Sequence, residues 1–167
     1  MFKSNLREEL KAWLRGYSRL AILGVGNTLR GDDALGPEFI NRLRGKLPKN
    51  VKLIDGGVAP ENFIGHIRRF KPTHVLLIDA ASFGGKPGEI RLIPPEHISG
   101  VALSTHSIPL HILADLIGRC VGAKVMLLGV EPKSLNLGEN VSPEVRESVE
   151  LGSKILIEVV NSAWKNG

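Results

Sequence analysis

The chain has 167 residues, of which 43% are hydrophobic and 23% charged, and a formal net charge of +5. That length suits one domain with a sizeable core, and the balance excludes a disordered chain. A single cysteine, Cys120, excludes an intramolecular disulfide and every multi-cysteine zinc or iron–sulfur motif.

The elements follow from periodicity and punctuation. Residues 4–17 read as a surface helix, with Ser4 as cap, Leu6, Leu10 and Leu14 at helical spacing and Gly16 as stop. Residues 20–25 form a short apolar run ending in Gly26, which predicts a buried strand. Helical spacing over 35–47 carries Pro37 in its first turn. A second strand is expected at 51–54, closed by Asp55-Gly56-Gly57, then a helix at 60–70 and a third strand at 74–78 that runs into Asp79. Residues 89–93 alternate and stop at Pro94-Pro95. A helix at 107–119, a strand at 124–130 and a long helix at 143–164, capped by Ser142, complete the chain. Cys120 and His111 are expected to pack, His111 alternatively pairing with Asp115.

Strands and helices thus alternate, and three strands are continuous apolar runs. This predicts an α/β three-layer sandwich: a twisted, mostly parallel five-stranded sheet with helices on both faces. Strand 89–93 follows its predecessor too closely for a parallel crossover, so it is expected to be antiparallel and at an edge. One domain spans 1–167, with a helical extension at 1–19 and an α/β core at 20–165.

Residues 1–52 hold 11 Lys/Arg against 5 Asp/Glu, whereas 53–167 hold 11 against 12. With only eight aromatic residues there is no base-stacking platform, so the basic third reads as solvated surface and no nucleic-acid partner is expected. No apolar run reaches the ~18 residues of a membrane span. Glutamates occupy the place of a signal peptide's apolar core. A cytoplasmic protein without membrane insertion is the expectation.

In a parallel sheet, ligands bind beyond the carboxyl ends of the strands. There the sequence puts Asn27, Asp32 and Asp33 after the first strand, Asp55 after the second and Asp79 after the third. His106 precedes the next helix, and Glu131 follows the fifth strand. Several acids with one imidazole make an acidic metal site or an acid/base site. Asp55 reads equally well as a turn residue bonding its own backbone. Familiar motifs fail: His-Glu-x-x-His, Gly-x-Ser-x-Gly and the phosphate-binding Gly-x-x-x-x-Gly-Lys are all absent. Gly24-Val25-Gly26 opens like a dinucleotide fingerprint, but Leu29 holds the third glycine's place and Asp32-Asp33 would face the pyrophosphate.

The run from Gly24 to Gly36, GVGNTLRGDDALG, resembles the opening signature of the [NiFe]-hydrogenase maturation endopeptidases. The resemblance continues through Asp55-Gly56-Gly57, Leu77-Ile78-Asp79-Ala80, Ser104-Thr105-His106 and Leu128-Gly129-Val130-Glu131-Pro132, covering roughly 20–160. It implies removal of a C-terminal extension from the hydrogenase large-subunit precursor after nickel insertion. It further implies that Asp33, Asp79 and His106 are the metal-binding and catalytic residues, with Asn27, Asp32 and Asp55 supporting them or the substrate. Asp33 departs from the family in being Asp rather than Glu. Nickel would arrive with the precursor, leaving the free protein metal-free. Nickel-insertion maturation proteins are further expected partners, and the chain is expected to be a monomer. Two rivals stand beside this: a nucleotide-binding α/β domain without protease activity, and a non-catalytic chaperone that senses nickel in the precursor.

Overall fold

The computed structural model describes residues 2–103 and 107–166, with the backbone alone for 2–5, 165 and 166. The chain order is α1 (Phe2–Trp13), β1 (Leu20–Val25), α2 (Leu35–Leu43), β2 (Val51–Gly57), α3 (Ile64–Phe70), β3 (His74–Ala80), β4 (Ile90–Ile93), α4 (Leu110–Val121), β5 (Lys124–Val130) and α5 (Pro143–Asn166). Short 3-10 turns occupy Gly31–Ala34, Pro60–Phe63 and Pro95–Gly100. The five strands form one sheet in the order β2-β1-β3-β5-β4. All pairs are parallel except β4 with β5. The antiparallel edge strand is therefore where the short connection requires it.

The two apolar faces of the sheet follow the period-2 alternation of the strands. Leu20, Ile22, Leu76, Ile78, Leu128 and Val130 point to one face, where α1, α2 and α5 pack. Ala21, Leu23, Val75, Leu77 and Leu127 point to the other, covered by α3 and α4. β1 and β3 are buried along their whole length, which explains their uninterrupted apolar composition.

α1 belongs to this core. Leu6, Leu10 and Leu14 are buried against α5, and the Tyr17 hydroxyl donates to the carbonyl of Val160 at 3.1 Å. Trp13 and Tyr17 stack edge-on against the buried His74 ring, with centroids 5.0 and 6.4 Å away. Among the described residues no helix is long and apolar enough to cross a membrane.

Several local expectations need correction. Cys120 is exposed, because Leu113, Ala114 and Ile117 take the buried face of α4. His111 is exposed too, and Asp115 pairs with Arg119, one helical turn on, at 3.1 Å. β2 and β3 each run past their expected ends, so Asp55 and Asp79 are strand residues rather than loop residues.

Candidate active site

The chain leaves β1 toward β2 on one side and returns to β3 on the other, so the crevice between β1 and β3 is the sheet's switch point. The N-terminus of α2 closes down on it. A Cβ at Gly36 would stand 2.8 Å from the carbonyl oxygen of Ile78, so only glycine lets α2 approach the end of β3 this closely. Gly26, at φ +145°, makes the turn out of β1. A Cβ there would overlap the carbonyl oxygen of Asp33.

The adjacent aspartates in the 3-10 turn are both buried, at 1% and 0% exposure, yet they serve different ends. Asp32 faces the loop between β5 and α5. Its Oδ2 accepts from the backbone N–H groups of Lys133 (2.8 Å) and Ser134 (3.2 Å) and from the Ser142 hydroxyl (2.9 Å). Its Oδ1 accepts from the Ser142 N–H at 2.6 Å. Ser142 in turn caps α5, as its sequence position predicts, with Oγ accepting from Val145 N–H at 3.4 Å. Asp32 therefore clasps two loops of the rim. Asp33 turns the other way, back onto the exit of β1. Its Oδ2 accepts from the Asn27 N–H at 2.8 Å, and Asn27 Oδ1 accepts from Leu29 N–H at 2.9 Å. Asn27 thus shapes the turn that orients Asp33, also through its main chain.

Asp79, 1% exposed, lies at the penultimate position of β3, and its Oδ1 accepts from Ala80 N–H at 2.8 Å. Asp33 and Asp79 are thus two buried carboxylates, one in the 3-10 turn bonded back to the exit of β1 and one near the end of β3. Asp55 is exposed on edge strand β2, where Oδ1 accepts from Gly57 N–H at 3.2 Å. The bond to its own backbone is present, at a bulge where Gly24 opposes Asp55 but Val25 opposes Gly57. Glu131 is spent on structure: its Oε1 accepts from Phe83 and Gly85 N–H groups, both at 2.9 Å, holding the β3–β4 loop.

His106 lies outside the described residues. The chain before it bridges Ala102 to Ala81, two positions past Asp79. The chain after it begins at Ser107, whose hydroxyl donates to Glu61 at 2.9 Å. Sequence reasoning missed Glu61, because no local pattern pairs residues 46 positions apart. Among the described residues, no three His, Cys, Asp or Glu side chains form a group that could hold a metal ion. Around the rim, Glu139 is held below the usual carboxylate range by the Ser134 hydroxyl and then the Asn136 amide. Exposed cations stand at both ends of the sheet: Arg30 and Lys133 on this rim, Lys133 paired with Glu144 at 3.0 Å, and Arg15, Arg19 and Lys49 at the amino end.

This rim does not suit a nucleotide. Two buried aspartates stand there, and they take up the Asn27, Lys133 and Ser134 N–H groups that a phosphate cradle would need free. The known proteins that resemble the chain are of another kind. The family model HycI, hydrogenase maturation protease, matches residues 37–159. A putative hydrogenase maturation protease of Methanocaldococcus jannaschii is 32% identical over 163 residues, covering 93% of this chain and 96% of its own. The hydrogenase 3 maturation protease of Escherichia coli is 37% identical over 130 residues, covering 77% and 83%. The crystal structure of the [NiFe] hydrogenase maturation protease HycI from Thermococcus kodakarensis KOD1 superposes with a TM-score of 0.84 at 35% identity, covering 92% of this chain and 99% of that one. The switch-point architecture, the motif run from Gly24 to Gly36 and these similarities agree: the chain belongs to the hydrogenase maturation protease family and is a peptidase.

Proposed function

We propose that Asp33, Asp79 and His106 form the site at which this protease engages nickel already held by a [NiFe]-hydrogenase large-subunit precursor, and beside which it removes the precursor's C-terminal extension. The observation that carries this reading is the burial of Asp33, in the 3-10 turn that follows β1, and of Asp79, near the end of β3, beside the sheet's switch point. Two buried carboxylates at a switch point, where such sheets bind ligands, are oxygen donors of the kind a divalent cation takes. The described residues on either side of His106 also support it, since Ala102 and Ser107 are both tied to the same rim.

Two carboxylates and an imidazole are N/O donors that suit nickel or zinc. Nickel is here part of the substrate, and its Lewis acidity would polarise the carbonyl of the bond to be cut. The protein's own part is positional: Asn27 orients Asp33, Asp32 anchors the loop pair, and exposed Asp55 stands at the rim as a group able to move a proton. The free chain holds no tightly bound metal, because three ligands without a thiolate bind divalent ions modestly and compete with protonation of the imidazole. The chain works as a monomer, on precursors delivered by nickel-insertion proteins. It does so in the cytoplasm, where the exposed Cys120 stays a thiol.

Mass spectrometry of the precursor before and after mixing tests this. The wild type releases the C-terminal peptide. Asp33→Asn, Asp79→Asn and His106→Ala each slow release by at least roughly 10–100-fold while remaining folded, since even groups outside a metal's direct ligands are worth that much. Near-normal release by any folded variant contradicts the assignment, and stable binding without release favours the chaperone reading.

A further inference from the structure

Among the described residues five large apolar side chains are exposed: Leu29, Val58, Ile112, Leu137 and Trp164. Single exposed apolar residues are ordinary. Three of these, however, stand on the loops that leave β1, β2 and β5 at the same end of the sheet. Leu29 and Leu137 are also the most exposed, at 66% and 67%.

Main-chain bonds hold them around Asp33. The Gly138 N–H donates to the Leu29 carbonyl at 2.8 Å and the Gly31 N–H to the Glu139 carbonyl at 3.2 Å, which lays the Leu137 loop alongside the Leu29 loop. The Gly26 N–H donates to the Gly57 carbonyl at 2.9 Å, placing Val58 against the turn before Asn27. Asp32 locks the same pair of loops from beneath. The side chains are thus presented to solvent from a backbone already ordered by folding, so a ligand need not supply that ordering.

We propose that Leu29, Val58 and Leu137 form an apolar collar that binds apolar side chains of the precursor next to the peptide bond to be cut. This rests on the reading of Asp33 and Asp79 as the processing site. The occupant follows from position: Leu29 N–H donates to the Asn27 side chain, Asn27 N–H donates to Asp33, and main-chain bonds tie the Val58 and Leu137 loops to the same turn, so a chain engaged at Asp33 lies beside the collar. A second copy of this protein fits poorly. Three side chains fall far short of the roughly 1,200–2,000 Å² of total buried surface that a stable interface needs, and a self-contact there would cap the crevice. Substrate selection follows as well, since an extended peptide without apolar residues near the scissile bond gains nothing from the collar.

The test is steady-state cleavage of a nickel-loaded large-subunit precursor by Leu29→Ser, Val58→Ser and Leu137→Ser, with Trp164→Ser as control. Trp164 is exposed near the far end of α5, away from the rim. Each leucine variant should raise KM by about ten-fold with kcat unchanged, because the contact is made equally in the bound and transition states. Val58→Ser should have a smaller effect in the same direction. Leu29→Met should restore most of the affinity, and Trp164→Ser should change neither constant. Unchanged KM in the leucine variants overturns the collar alone. A fall in kcat at constant KM also overturns it, by placing these residues in the chemistry. So does sedimentation showing a wild-type dimer that Leu137→Ser dissociates. If the wild type cleaves no nickel-loaded precursor, the reading of the site fails and the collar with it.

Discussion

Replacing Asp32 with alanine separates the two adjacent aspartates by what they do. The carboxylate accepts four hydrogen bonds, from Lys133, Ser134 and Ser142 (two). Hydrogen bonds to a charged group contribute about 1.5–3 kcal/mol each, so a simple sum would reach roughly 6–12 kcal/mol. The loss is smaller, because Lys133 is exposed and Ser134 and Ser142 are half-buried, so water recovers part of it. About 3–5 kcal/mol remains, or roughly 6–20 °C in melting temperature for a chain of this size. Asp32→Asn keeps one acceptor oxygen and should cost about 1–3 kcal/mol. Urea unfolding followed by far-ultraviolet circular dichroism measures both, with Asp33→Asn alongside. The clasp assignment predicts that the Asp32 variants lose stability first and turnover only in proportion to the unfolded fraction. An Asp32→Ala protein within about 1 kcal/mol of wild type would refute it, and one that is also inactive would place Asp32 in the chemistry.

Three further outcomes follow from the structure. Gly26→Ala should destabilise the chain severely, by about 3 kcal/mol or more, because the new methyl overlaps the Asp33 carbonyl at positive φ; Gly16→Ala, also at positive φ but in open space, should cost only about 1 kcal/mol, and paired urea titrations compare them. Leu10→Ala should cost about 2–5 kcal/mol, since the side chain is wholly buried in the α1–α5 contact, while turnover at saturating precursor persists; loss of turnover in the folded variant would bring α1 into the functional unit. His74 is held below its ordinary pKa of 6.5 by burial and then by the Lys124 charge, against the carbonyl of Trp13, which favours the charged ring. The unfolded chain therefore takes up this proton first as pH falls, so the His74 contribution is intact above about 6.5 and is lost as pH drops toward the lowered native value. Urea midpoints between pH 8 and 5 should show this decline, and His74→Phe should flatten it.

The sheet was legible because its strands state their burial outright. The apolar runs at 20–25 and 74–78 became the two fully buried strands, and the short link before 89–93 required the antiparallel edge. The ends of the elements were less visible. Nothing in Asp55-Gly56-Gly57 distinguishes a turn that ends a strand from a bulge that lets pairing with β1 continue. The neighbourhood of the candidate site was legible, since the strand ends named in sequence lie at the carboxyl end of the parallel strands. The division of labour within it was not. Asp32 and Asp33 are chemically identical neighbours, and only closure of the 131–142 loop, a hundred residues on, decides which one is consumed as a clasp. Glu61 and Ser107 went unseen for the same reason.

The most direct test of the account compares one precursor in two states. Metal-free wild-type protein is mixed with nickel-loaded precursor and, separately, with the same precursor lacking nickel, and peptide release is followed by mass spectrometry. The account predicts release only from the nickel-loaded form, and no release when Asp79→Asn replaces the wild type. Equal cleavage of the nickel-free precursor by metal-free protein would contradict it.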